Sequence, residues 1–96
     1  MTEKIEALAG LLLEQTRERL ARDYTQAQAD AQVVRVTPGR KYTRIDSGAG
    51  ENGLCGRLMV DHQTGEVFGI LGYGKVDKRS RYGTLDTTGS YYWGDL

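Results

Sequence analysis

The segment G-I-L-G-Y-G-K, Gly69 to Lys75, fits the GxxxxGK spacing in which backbone amides cradle a nucleotide phosphate. Two features argue against that chemistry. Val76 stands where a hydroxyl residue would hold magnesium. The segment after it meets another glycine, Gly83, too soon to form the helix whose N-terminus receives phosphate. Gly69 and Gly72 are expected instead to let neighbouring backbone or a bulky side chain approach closely. His62, the sole histidine, falls beside Asp61 in an expected turn, and a general base would need a cleft and a partner nucleophile. Cys55 has no second cysteine for a disulfide and no histidine at ligand spacing for a structural zinc. Asp46, Asp61, Asp86 and Asp95 do not follow a calcium-loop pattern, so strand-end and turn roles suit them better. Neither an enzyme nor a cofactor or metal is expected.

A denser constellation lies just beyond. Lys75, Lys78, Arg79 and Arg81 are opposed only by Asp77 and flanked by Tyr73 and Tyr82, with Tyr91, Tyr92 and Trp93 following. Aromatic faces beside guanidinium groups can stack bases, while cations and glycine-rich amides hold phosphates. Ser47 to Gly53 reads as a flexible loop able to supply a second cradle of amides. The same residues also read as a solvated loop with aromatics filling a core poor in large aliphatics. Arg44 and Arg57 belong to the same set of candidates. Alternation places Tyr42, Arg44 and Asp46 on one face of a strand and Thr43 and Ile45 on the other. If Ile45, Leu58 and Val60 face a helix, then Tyr42, Arg44 and Arg57 lie on the far face. The candidate binding residues are therefore Tyr73, Lys75, Lys78, Arg79, Arg81, Tyr82, Arg44, Arg57 and Trp93.

The elements that must position these residues change character near Pro38. Of thirteen glycines, Gly10 alone precedes it, among Ala, Leu, Glu, Gln and Arg, which favour helix. Ile5, Leu8, Leu12 and Leu20 recur near a period of 3.6, with Ala9 and Thr16 on the same side, and Tyr24, Ala27 and Ala31 extend the stripe. Thr2 is the expected N-cap, and Glu3 and Glu6 suit the positive end of the helix dipole. A single helix to Asp30 would be about 40 Å long, more than a small sheet can cover. It is expected either to break near Asp23 or to pack partly on another copy. Beyond it, QVVRV and KYTRID flank a Pro-Gly turn. GRLMVD and EVFGIL flank HQTG as a hairpin with Gly65 in the left-handed region. RYGTLD is a further strand, and SYYWG a short strand or packed tail.

The expected fold is α+β, with an N-terminal helix over residues 1–32 and a Gly-rich antiparallel β-domain of about five short strands over residues 33–96. Thirteen Lys/Arg balance thirteen Asp/Glu, which argues against general nucleic-acid or membrane binding. The start of the chain lacks the positive n-region and long apolar run of a signal peptide. A soluble, intracellular protein is expected, with the helix as a candidate homo-oligomer contact.

From Gly39 onward the motifs GRKYTRID, MVDHQTGEVFGILGYGKV and YGTLDTTGSYYWG resemble a class of small proteins of tailed bacteriophages. The chain departs from that pattern at VDKRSRYG, where many such proteins carry a His-containing link. The resemblance implies an accessory protein acting in the host bacterial cytoplasm. It implies a non-catalytic binder that neutralises a host defence component, with a host protein favoured as the target. The alternatives it leaves open are a sponge for a cyclic or otherwise phosphorylated nucleotide messenger, and a structural or assembly component of the virion.

Overall fold

The computed structural model describes residues 1–96, except for the side chain of Tyr73. Helix α1 spans Thr2–Asp23 and buries Ile5, Leu8, Ala9, Leu12 and Thr16, the expected stripe. Its N-cap is Met1, without a side-chain hydrogen bond, so Thr2 is the first helical residue and not the cap. The chain breaks at Tyr24 (φ −133°, ψ −117°), and α2, Gln26–Asp30, restarts on a capping box. Thr25 Oγ accepts from the Gln28 amide at 3.1 Å, and Gln28 Oε1 accepts from the Thr25 amide at 3.3 Å. The break rotates the stripe. Tyr24, Ala27 and Ala31 are exposed, and Ala29 is buried in their stead.

Five antiparallel strands follow in sequence order across one sheet: β1 Gln32–Pro38, β2 Tyr42–Ala49, β3 Cys55–Asp61, β4 Glu66–Leu71 and β5 Lys75–Thr84. The GILGYGK segment leaves β4, makes a 3₁₀ turn at Gly72–Gly74 and enters β5, with no helix to receive phosphate. Strand β2 runs through Ser47 and Gly48, so those residues belong to a buried strand and not to a flexible loop. Strand β5 begins at Lys75, six residues before the expected start at Arg81. The β3–β4 turn is as anticipated: Gly65 has φ +73°, and Asp61 Oδ1 accepts from the Gln63 amide at 2.8 Å.

Helix α1 covers one face of the sheet. Ile5, Leu8, Ala9 and Leu12 pack on Ile45, Leu58, Val60 and Val67, and Leu85 and Trp93 complete the cluster. Burying each of the Ile, Leu and Val side chains contributes roughly 1.5–3 kcal/mol relative to exposure. The 3₁₀ turn Thr88–Ser90 leads into the packed tail. There the Trp93 amide donates to Gln15 Oε1 at 2.6 Å, the Trp93 indole donates to the Thr88 carbonyl at 3.1 Å, and Arg19 donates to the Gly94 carbonyl.

Candidate binding face

The face of the sheet turned away from α1 carries the groups that can bind something. Pairing of Arg44 with Met59, and of Met59 with Phe68, sets Arg44, Met59 and Phe68 in a row across three strands. Beside them, Asp46 is 2% exposed and lies between two guanidiniums. Arg35 Nη2 is 3.1 Å from Asp46 Oδ2, and Arg44 Nε is 3.1 Å from Asp46 Oδ1. The two contacts differ in kind. Arg35 makes a hydrogen bond, whereas the Arg44 Nε–H does not point at the carboxylate. The buried Nε therefore has charge compensation but no hydrogen-bond acceptor among the described residues. A buried donor without an acceptor carries a desolvation cost of about 1–3 kcal/mol.

Arg44 opens on a hollow of about 210 Å³, lined also by Gly56, Ile70, Leu71, Gly72 and Gly74. Gly74 has φ +73°, and a Cβ there would lie 3.3 Å from Arg44 Nη1. The glycine thus provides both the turn and the room for the guanidinium. Two larger hollows, about 450 and 370 Å³, flank the helices. The arginine of one and the histidine of the other are already engaged within the fold: Arg19 with Gly94, and His62 between Thr43 Oγ at 2.7 Å and the Arg40 carbonyl at 3.3 Å.

The basic cluster does not converge. Between the pairs Gly69–Asp77 and Phe68–Arg81, strand β4 advances one residue and β5 four, which expels Lys78, Arg79 and Ser80 from the ladder. Asp77 holds this bulge, accepting from the Arg79 amide and the Ser80 hydroxyl, each at 3.1 Å. Burial pushes the Asp77 carboxyl up. The Arg79 amide, the Ser80 hydroxyl and the Arg79 charge together hold it below the ordinary aspartate range. Lys75, Lys78 and Arg79 are exposed, and Arg81 is ion-paired with Glu66. The hydrogen bond from Arg81 keeps the Glu66 carboxyl below its usual range against the opposing effect of burial. Gly69 behaves as expected, since a Cβ there would lie 3.0 Å from that of Ser80. Gly72 does not, having nothing within 4 Å.

Three candidates move away from this surface. Trp93 is fully buried and Tyr82 is half-buried beside it, at 5.8 Å between ring centroids. Trp93 is therefore a core residue and not an exposed contact, because the cluster it completes has no other aromatic among its fully buried members. Arg57 is the extra residue of a bulge between the Ile45–Leu58 and Asp46–Gly56 pairs. That insertion turns it to the helix side, where it donates to Ser47 Oγ at 3.0 Å. The side chain of Tyr73 lies outside the described residues. Arg35 and Asp46 are participants that composition does not single out; counting the β1–β2 hairpin from its turn would have paired them.

No helix among the described residues is long and apolar enough to cross a membrane. Compared with protein-family models, curated proteins and solved structures, the chain finds no match.

Proposed function

We propose that the chain is a non-catalytic binding protein whose helix-free sheet face docks on another protein, with a carboxylate of that partner seated against Arg44. The observation that carries this reading is Arg44, which lines a glycine-walled hollow with its side chain partly exposed while its buried Nε has no acceptor among the described residues. A planar guanidinium fork matches a carboxylate bidentately. The surrounding charge suits an acidic partner, because Lys75 and Lys78 are exposed and lie in no ion pair among the described residues. Exposed Leu71 at the rim of the hollow adds apolar contact. The likeness of residues 39–96 to small tailed-phage proteins supplies the setting: a host defence protein, neutralised by being covered in the host cytoplasm.

A messenger with two or three phosphates calls for several converging cations. Arg81 turned toward Glu66 and Arg79 turned toward Asp77 favour the protein reading over the sponge.

The test is capture from bacterial lysate by the parent and by Arg44→Lys, which keeps the charge beside Asp46 and removes the fork. Mass spectrometry identifies proteins, and heat denaturation releases any nucleotide. The expected result is a stoichiometric protein, insensitive to phosphatase, bound at least about 30-fold more weakly by Arg44→Lys, the scale of an interface hot spot. A released nucleotide without protein, or equal capture by both forms, would refute the reading.

A further inference from the structure

The sheet has two free edges, and they are treated differently. Strand β5 is broken by its three-residue bulge and carries Lys75, Lys78, Arg79 and Arg81. Such features guard an edge against pairing. Strand β1 is less guarded: its register with β2 is unbroken from Gln32 to Pro38, its one cation, Arg35, is ion-paired with Asp46, its proline stands at the last position, and it contains Val33, Val34 and Val36.

The hydrogen-bond pattern shows which groups of β1 are free. The Gly39 amide donates to the Tyr42 carbonyl at 2.8 Å, making Gly39–Tyr42 a bonded pair. Bonded and non-bonded pairs alternate, so Thr37, Arg35 and Val33 bond to Arg44, Asp46 and Gly48 of β2. On the other side of β2, the His62 amide donates to the Lys41 carbonyl at 3.0 Å, which confirms that alternation. Gln32, Val34, Val36 and Pro38 therefore aim their backbone groups away from the sheet. Pro38 fits that position, having no N–H to give. The outward carbonyl of Gln32 is already taken by Arg17 Nη2 at 2.8 Å.

We propose that this edge pairs with the β1 strand of a second copy of the chain, antiparallel and two-fold, with Arg35 opposite the partner's Arg35. In that register Val34 and the partner's Val36 exchange both backbone hydrogen bonds. Gln32 falls opposite the partner's Pro38. There the Gln32 amide meets the proline carbonyl, and the missing proline N–H falls opposite a carbonyl that Arg17 has already satisfied. A shift of one pair in either direction loses this match. One direction sets the Val36 amide against the occupied carbonyl; the other sets Pro38 against a free one. The chosen occupant is thus a second copy, because the two defects of this edge compensate each other under two-fold symmetry. Val34 and Val36, which pack against the core, meet their counterparts on the helix side. The facing Arg35 side chains are each neutralised by Asp46, with Glu51 4.0 Å away.

The experiment has two readouts. In the unmodified protein, sedimentation should show a monomer–dimer equilibrium up to about 1 mM, the weak end of specific association. Amide exchange at Val34 and Val36 should slow at least about tenfold between dilute and concentrated samples, while Val33 and Arg35 stay protected throughout. In a Cys55→Ser background, Val33→Cys and Thr37→Cys should cross-link when mixed. Thr37→Cys alone should not, because its copies lie about 13 Å apart along the strands. A monomer at every concentration overturns the proposal. So does a dimer that leaves the Val34 and Val36 amides unchanged, or one in which Thr37→Cys cross-links with itself as readily as with Val33→Cys.

Discussion

Replacing Trp93 by alanine tests whether the aromatic tail is core or surface. Trp93 is fully buried and sits among Leu8, Leu12, Ile45 and Leu58 in the central cluster. It also stacks on Tyr91, at 5.2 Å between ring centroids. Truncating a buried aromatic to alanine costs about 3–5 kcal/mol. Domains of this size are stable by only about 5–15 kcal/mol, so the loss is a large share. At about 4–8 °C per kcal/mol, the expected fall in Tm is about 12–40 °C. Trp93→Phe separates the contributions. It keeps an aromatic ring in the cluster and removes the indole donor to the Thr88 carbonyl, so it should cost less than the alanine change. Thermal melts followed by circular dichroism measure both. A loss below about 1 kcal/mol for Trp93→Ala would place the tail outside the core and reopen Trp93 as a surface contact.

Two glycines should respond in opposite senses. Gly10 is exposed in α1, and a Cβ added there would meet no atom within 4 Å, so Gly10→Ala should stabilise by up to about 1 kcal/mol. Gly83 has φ +89° and faces the Thr87 hydroxyl at close range, so Gly83→Ala should destabilise by more than about 1 kcal/mol; denaturant titration reads both. Because the folded Asp77 carboxyl is held low, the stability it lends the bulge is present above the unfolded aspartate pKa and is lost as pH falls through the folded value. Protection of the Arg79 amide, taken relative to its intrinsic exchange rate at each pH, should therefore fall below about pH 4, and Asp77→Asn should abolish that fall.

Periodicity carried the fold a long way. The α1 stripe and the hairpin at Gly65 follow from local residue types, and the break near Asp23, one of two alternatives, from the length of helix a small sheet can cover. What it could not carry was insertion. One extra residue at Arg57 inverts a face that alternation alone assigns, and three extra residues at Lys78–Ser80 interrupt a strand that residue types start only at Arg81. Neither bulge leaves a mark in composition, because each depends on what the neighbouring strand presents. Arg44 was legible from KYTRID. Its pairing beside Asp46 required the register of β1, and its unsatisfied Nε required the angle between two side chains. Trp93 was ambiguous for another reason: aromatic type serves both cores and interfaces, and only the shortage of other large buried side chains decides between them.

The bond between the Trp93 amide and Gln15 joins positions 78 residues apart. This sets a schedule for the nascent chain. Helix α1 emerges first during synthesis, yet its apolar side has no complete partner until the sheet and Trp93 have followed. Folding is thereby tied to a contact of long sequence separation, which slows it relative to a helical protein of similar size. In the interval Leu8 and Leu12 remain available to chaperones or to other chains, so production of this protein should depend on how quickly its C-terminal region is translated.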